Sequence, residues 1–149
     1  MRIIETKVST FDELDEKAKR KAREWFFEGV FDFEWYKAIY DDAENIGLRI
    51  NNFDCDRRMI DGELDANIKV VCKNIMTSHG KTTDTYKLAK TMDLRRNITI
   101  EVEKEFKRAL LEEYLAILTH EVEYMQSNEY VDESIRANEY EFTADGGRA

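Results

Sequence analysis

At 149 residues the chain can bury a real core without disulfides or metals, and it is expected to form a single domain over residues 1–149. Its 32 acidic and 23 basic residues leave a net charge of -9, which repels nucleic-acid backbones and argues against sequence-specific nucleic-acid binding. No apolar run approaches the ~20 residues that cross a bilayer. The opening MRIIETKVSTF lacks a signal-peptide core, and Cys55 and Cys72 form neither a metal spacing nor a disulfide framework, so a cytoplasmic protein without membrane contact is expected.

The charge is uneven. Residues 1–45 hold 12 acids and 8 bases, residues 46–100 hold 7 and 10, and residues 101–149 hold 13 and 5. A mildly basic middle thus sits between acidic ends. Proline is absent, so turns must come from Gly, Asn and Asp, and long helices are easy to keep.

Arg2 to Ser9 reads as a strand, with Ile3, Ile4, Thr6 and Val8 as β-formers. Thr10 and Glu13 have capping-box spacing and predict a helix through Phe11, Leu14, Ala18, Ala22, Trp25 and Phe26, ended by Gly29. Asp32 caps a second helix whose stripe is Trp35, Ile39, Ala43 and Ile46, with Gly47 as its stop. Residues 48–64 read as a hairpin, with a bulge near Asn51–Asn52, where the inward phase changes between Ile50 and Phe53. Asp65 opens a third helix carrying Ile68, Val71, Cys72, Ile75 and His79, and Gly80 closes it. Thr83 or Asp84 starts a shorter helix through Tyr86, Leu88, Ala89 and Met92.

Asn97 or Thr99 then caps the longest helical signal, Ile100 to Met125, whose apolar residues recur at three-and-four spacing without Gly or Pro. A polar bend at Gln126–Glu129, a short helix over Val131–Asn138 and a strand at Tyr140–Thr143 complete the chain. The class is α+β: one small antiparallel sheet of three or four strands, packed against five or six helices, with one long C-terminal helix.

No catalytic signature emerges, and the protein is expected not to be an enzyme. His79-Gly80-Lys81-Thr82 contains the letters GKT, but Ile75 stands where a phosphate loop needs its first Gly, and a helix precedes it instead of a strand. What remains is a helix start at Thr82, Thr83 and Asp84 beside Lys81, which attracts anions in principle but is usually only a capped junction. Asp54 and Asp56 begin like a calcium loop, yet position five is Arg58 and no closing Glu follows. Arg57 and Arg58 at the hairpin tip, and Arg95 and Arg96 before the long helix, suit a phosphate, or are simply solvated.

His79 lies on an apolar stripe, where a satisfied histidine is ordinary, and His120-Glu121 lacks the second His of a zinc helix. No metal or cofactor is expected. Cys72 on its helical stripe behaves as a small hydrophobe. Eight aromatics between Trp25 and Tyr40 are mostly core, and any left outside near Phe26–Phe33 would mark a partner surface or a stacking platform.

Three stretches, MRIIETKVSTFDEL, HGKTTDTYKLAK and ANEYEFTADGG, together resemble a family of small, largely uncharacterised proteins of bacteriophages and prophages of gut bacteria, sometimes labelled antitoxin-like. The resemblance covers most of the chain and carries no catalytic motif. It implies a phage accessory protein acting in the cytoplasm of an infected bacterium, and such proteins mostly work by binding. The first expectation is therefore an anti-defence protein that sequesters a nucleotide-type immune signal. Arg57, Arg58, Lys81, Thr82, Thr83, Arg95 and Arg96 would contact the phosphates, Tyr86 the base, and a homo-oligomer would complete the pocket. The alternative is an antitoxin-like inhibitor that binds a host defence protein through its acidic surface.

Overall fold

The long helix of the sequence is the long helix of the structure. In a computed structural model, which describes residues 7–29 and 34–149, α5 runs Ile100–Met125, and Thr99 Oγ1 accepts from the Val102 N–H at its start. The predicted first strand lies largely in residues 1–6 and the Asp32 cap in residues 30–33, both outside the described residues.

The elements in order are β1 (Ser9–Thr10), a 3-10 turn (Phe11–Glu13), α1 (Glu16–Gly29), α2 (Lys37–Ile46), β2 (Leu48–Asp54), β3 (Met59–Leu64), α3 (Ile68–Ser78), α4 (Asp84–Asp93), α5, α6 (Asn128–Ala137) and β4 (Glu141–Phe142). The fold is α+β, as the alternation of patterns implied. Among the described residues, the single sheet of three or four strands is corrected to two antiparallel pairs, β1 with β4 and β2 with β3. The hairpin buries one face on helices instead of recruiting the two-residue terminal strands.

Two compact units result. The larger, Trp35–His120, is continuous in sequence. Gly47, at φ +97°, turns α2 directly into β2, a left-handed conformation that glycine adopts without a Cβ clash. The hairpin register shifts between Ile50 and Asn52, the bulge expected there. Asp65 does not cap α3. Its N–H closes the hairpin base on the Gly47 carbonyl and its carboxylate meets Arg49 at 3.5 Å, while Asn67 caps α3 through the Lys69 N–H at 2.9 Å. Gly62 is needed for close approach: a Cβ there would sit 2.4 Å from the Arg49 carbonyl oxygen. The core joins Ile46, Leu48 and Ile50 to Val71, Cys72 and Ile75 of α3 and to Phe106, Leu110, Leu111 and Tyr114 of α5. Trp35, Tyr36, Tyr40 and Phe53 form an edge-on aromatic group beside it, with centroids 4.9–6.0 Å apart.

The smaller unit takes the described residues of Met1–Glu34 and of Glu121–Ala149. Glu13 does accept from the Thr10 N–H at 2.8 Å, but this box closes a single 3-10 turn. Leu14 is extended, and α1 begins at Glu16 with Asp15 accepting from the Ala18 N–H. Ser127, inside the expected bend, caps α6 three residues earlier than the apolar pattern suggested. Phe11, Leu14, Ala18, Ala22, Val131, Ile135 and Phe142 make the core. Arg23 clasps Asp132 through two bonds of 2.7 and 2.9 Å, which fixes α1 against α6.

Candidate functional site

The cationic residues singled out in the sequence stand in different parts of the larger unit. Arg57 and Arg58 occupy the hairpin tip. There Asp54 Oδ1 accepts from the N–H groups of Asp56 and Arg57, and its other oxygen lies 3.7 Å from Arg57 Nε. The tip is one six-residue strand, about 20 Å at 3.3 Å per residue, from the hairpin base. Arg95 lies near that base, since Lys69 Nζ, at the start of α3, donates to the carbonyls of Asp93 and Arg95 at 2.6 and 2.8 Å. Arg96 follows it, exposed.

Lys81, Thr82 and Thr83 lie past the opposite end of α3, an eleven-residue helix about 16 Å long at 1.5 Å per residue. No hydrogen bond or ion pair among the described residues joins the tip, the 80s loop and the 95–96 corner. Thr83 is committed locally: its hydroxyl donates to the Gly80 carbonyl and accepts from the Tyr86 N–H, which makes it the cap of α4. Tyr86 is half-buried in the first turn of that helix.

What the 80s loop borders is acidic. A hollow of about 320 Å³ is lined by Asp42, His79, Thr83, Asp84, Thr85, Glu113 and Ile117. Three carboxylates and no Lys or Arg face it, so it disfavours a phosphate. Glu113 is held above the ordinary carboxylate range, first by burial and then by the neighbouring Asp84 and Glu112 charges.

Its floor is a polar network tying four helices. His79, at the end of α3, sets Nε2 3.0 Å from Asp42 Oδ2 on α2 and Nδ1 2.6 Å from Thr85 Oγ1 on α4. Tyr114 of α5 donates its hydroxyl to the same Asp42 oxygen at 2.8 Å. Burial and the adjacent Asp42 raise the Tyr114 phenol, which stays protonated and donates. A self-consistent pairing has Nε2–H donating to the carboxylate and Nδ1 accepting the Thr85 hydroxyl, whose oxygen also lies 3.3 Å from Thr83 Oγ1. Thr85 is 3% exposed and, tyrosine apart, is the one buried polar or charged side chain among the described residues. The satisfied histidine expected on the α3 stripe is found, with both ring nitrogens bonded.

Asp42, Thr85, Glu113 and Tyr114 were missed because each looks unremarkable on its own helix. The available signal was that a buried tyrosine needs an acceptor for its hydroxyl. Among the described residues no group of three or more His, Cys, Asp or Glu side chains has metal-holding geometry. Cys72, fully buried, has its thiol pushed up to about 11 by burial and is no nucleophile. No described helix is long and apolar enough to cross a membrane.

Compared with known protein families, with curated proteins and with solved structures, the chain matches none.

Proposed function

We propose that this is a bacteriophage accessory protein that works by binding another protein, as an antitoxin-like or anti-defence inhibitor, and that its acidic smaller unit makes the contact. One observation carries the proposal. The segments of that unit hold 17 acids and 9 bases, so -8 of the net charge of -9 belongs to 63 residues. On α6, Glu129 and Glu133 are exposed and share a face at i, i+4. Such a surface steers a cationic partner toward it and imitates the charge of a nucleic acid to a nuclease-like target. The spread of Arg57, Arg58, Lys81, Arg95 and Arg96 over distant parts of the larger unit favours this over sequestration of a nucleotide, which requires converging cations.

The test compares the chain with its E129K/E133K variant in capture from a bacterial lysate, followed by titration of the purified captured protein at two salt concentrations. Loss of capture by the variant, and affinity that falls with salt, are the expected results. Equal capture by both chains overturns the proposal. A melting shift with cyclic dinucleotides that Arg57→Ala, Arg58→Ala or Lys81→Ala removes would restore the nucleotide reading instead.

A further inference from the structure

The network on the floor of the hollow has an arrangement that a purely structural lock does not require. A hydroxyl, an imidazole and a carboxylate stand in series within hydrogen-bond reach: Thr85 Oγ1 to His79 Nδ1 at 2.6 Å, His79 Nε2 to Asp42 Oδ2 at 3.0 Å. This is the spatial order of nucleophile, base and orienting acid, recognised by geometry and role, whatever the order in sequence. Tyr114 holds the acid from behind. All three working groups line one hollow. Thr85 is the second residue of α4, so its own N–H and that of Asp84 have no intrahelical acceptor, while Thr83 takes the Tyr86 N–H.

We propose that Thr85, His79 and Asp42 form a slow acyl-transfer site for small esters whose alcohol portion is cationic. Thr85 Oγ1 bonds the ester carbonyl carbon as its proton passes to His79 Nδ1. The carbonyl oxygen becomes an oxyanion, for which the Asp84 and Thr85 N–H groups are donors. Collapse breaks the bond to the alcohol, which leaves with the proton from His79. Water then attacks the acyl-threonine, again giving a proton to His79, and releases the acid with Thr85 restored.

The substrate class follows from the walls. Thr85 is 3% exposed, which admits only a small acyl group. Asp84 and Glu113 would oppose a bare oxyanion, and a cation on the alcohol offsets them while Ile117 gives it an apolar side. The activity is independent of the proposed binding role, which uses the other unit.

The probes are acetylthiocholine and the neutral p-nitrophenyl acetate, with the full chain. Hydrolysis above the uncatalysed rate is expected, lowered about tenfold or more in T85V and H79Q and retained in T85S, which keeps the hydroxyl even if T85V packs poorly. E113Q should raise KM for acetylthiocholine by more than it changes that for p-nitrophenyl acetate. Trapped intermediate should carry one acetyl group on the peptide containing Thr85. No rate above background, or a T85V rate equal to that of the unsubstituted chain, overturns the proposal.

Discussion

Asp42→Ala tests whether the four-helix network is a coupled unit. The substitution removes the acceptor of two donors at once, the Tyr114 hydroxyl and His79 Nε2–H. Tyr114 is 0% exposed and the His79 side chain 10%, so neither donor finds bulk water easily. A stranded donor costs about 1–3 kcal/mol. The Asp42 side chain is 44% exposed, so water can enter part of its vacated space, and the low end applies. The expected loss is about 2 kcal/mol, roughly 1 for each donor, or a fall in Tm of about 4–8 °C. Tyr114→Phe alone removes one donor and should cost about 1 kcal/mol. In the double variant the carboxylate is lost with only His79 left to strand, so the two changes together should cost about 1 kcal/mol, about 2 less than their sum. Urea melts of the four chains give the cycle. Additive losses, agreeing within about 0.3 kcal/mol, would show that Asp42 and Tyr114 do not share a bond that matters, and the network would fail as an explanation of His79 burial.

Three further outcomes follow from the same geometry. Glu113 has its folded value raised above the ordinary 4.5, so the folded chain holds that proton more readily than the unfolded one. Its favourable contribution is complete below about 4.5 and disappears as pH rises through the raised value; Glu113→Gln should flatten the Tm-against-pH curve on that side, and an unchanged curve would refute the assignment. Of the two thiols, Cys55 at the hairpin tip should react with a disulfide reagent in the native protein, and Cys72 only after unfolding; two equally fast thiols would contradict the packing of α3. Gly146 has φ +91°, and a Cβ there would meet the Ala18 carbonyl oxygen at 2.1 Å, so Gly146→Ala should destabilise the smaller unit by more than about 2 kcal/mol. Hydrogen exchange should rise in α1 and α6 while α3 and α4 stay protected, and uniform protection would count against the close approach.

Local signals carried the helices well. α5 was legible end to end because its apolar spacing has no interruption, and Gly47 and Thr83 marked their boundaries through chemistry that acts within one turn. Competition between neighbouring caps was not legible. Asp65 and Asn67 are both good caps, and only the pull of the Gly47 carbonyl on the Asp65 N–H decides for Asn67. Ser127 was hidden in a polar stretch that reads equally as a bend. Sheet pairing escaped because two-residue strands carry no periodicity, and their partners are far apart in sequence. The hollow escaped for the same reason: the tips of Asp42, His79, Thr85 and Tyr114 come from four helices, and no one helix announces the meeting. Spacing along the chain likewise says nothing about the length of α4, the helix that separates Lys81 from Arg95.

The pairing of Ser9 with Phe142 has a consequence for how the chain is made. Emerging from the ribosome at about 5–20 residues per second, the segment Trp35–His120 has all its own partners before translation ends, and can fold as it appears. The segment with the 3-10 turn and α1 must wait, its Phe11 and Trp25 uncovered, until Val131, Ile135 and Phe142 have been made. With Trp35–His120 already folded, most of the chain between the two flanking segments is no longer a flexible loop, and the step left is their docking on each other; until it occurs the uncovered apolar face is open to a chaperone or protease.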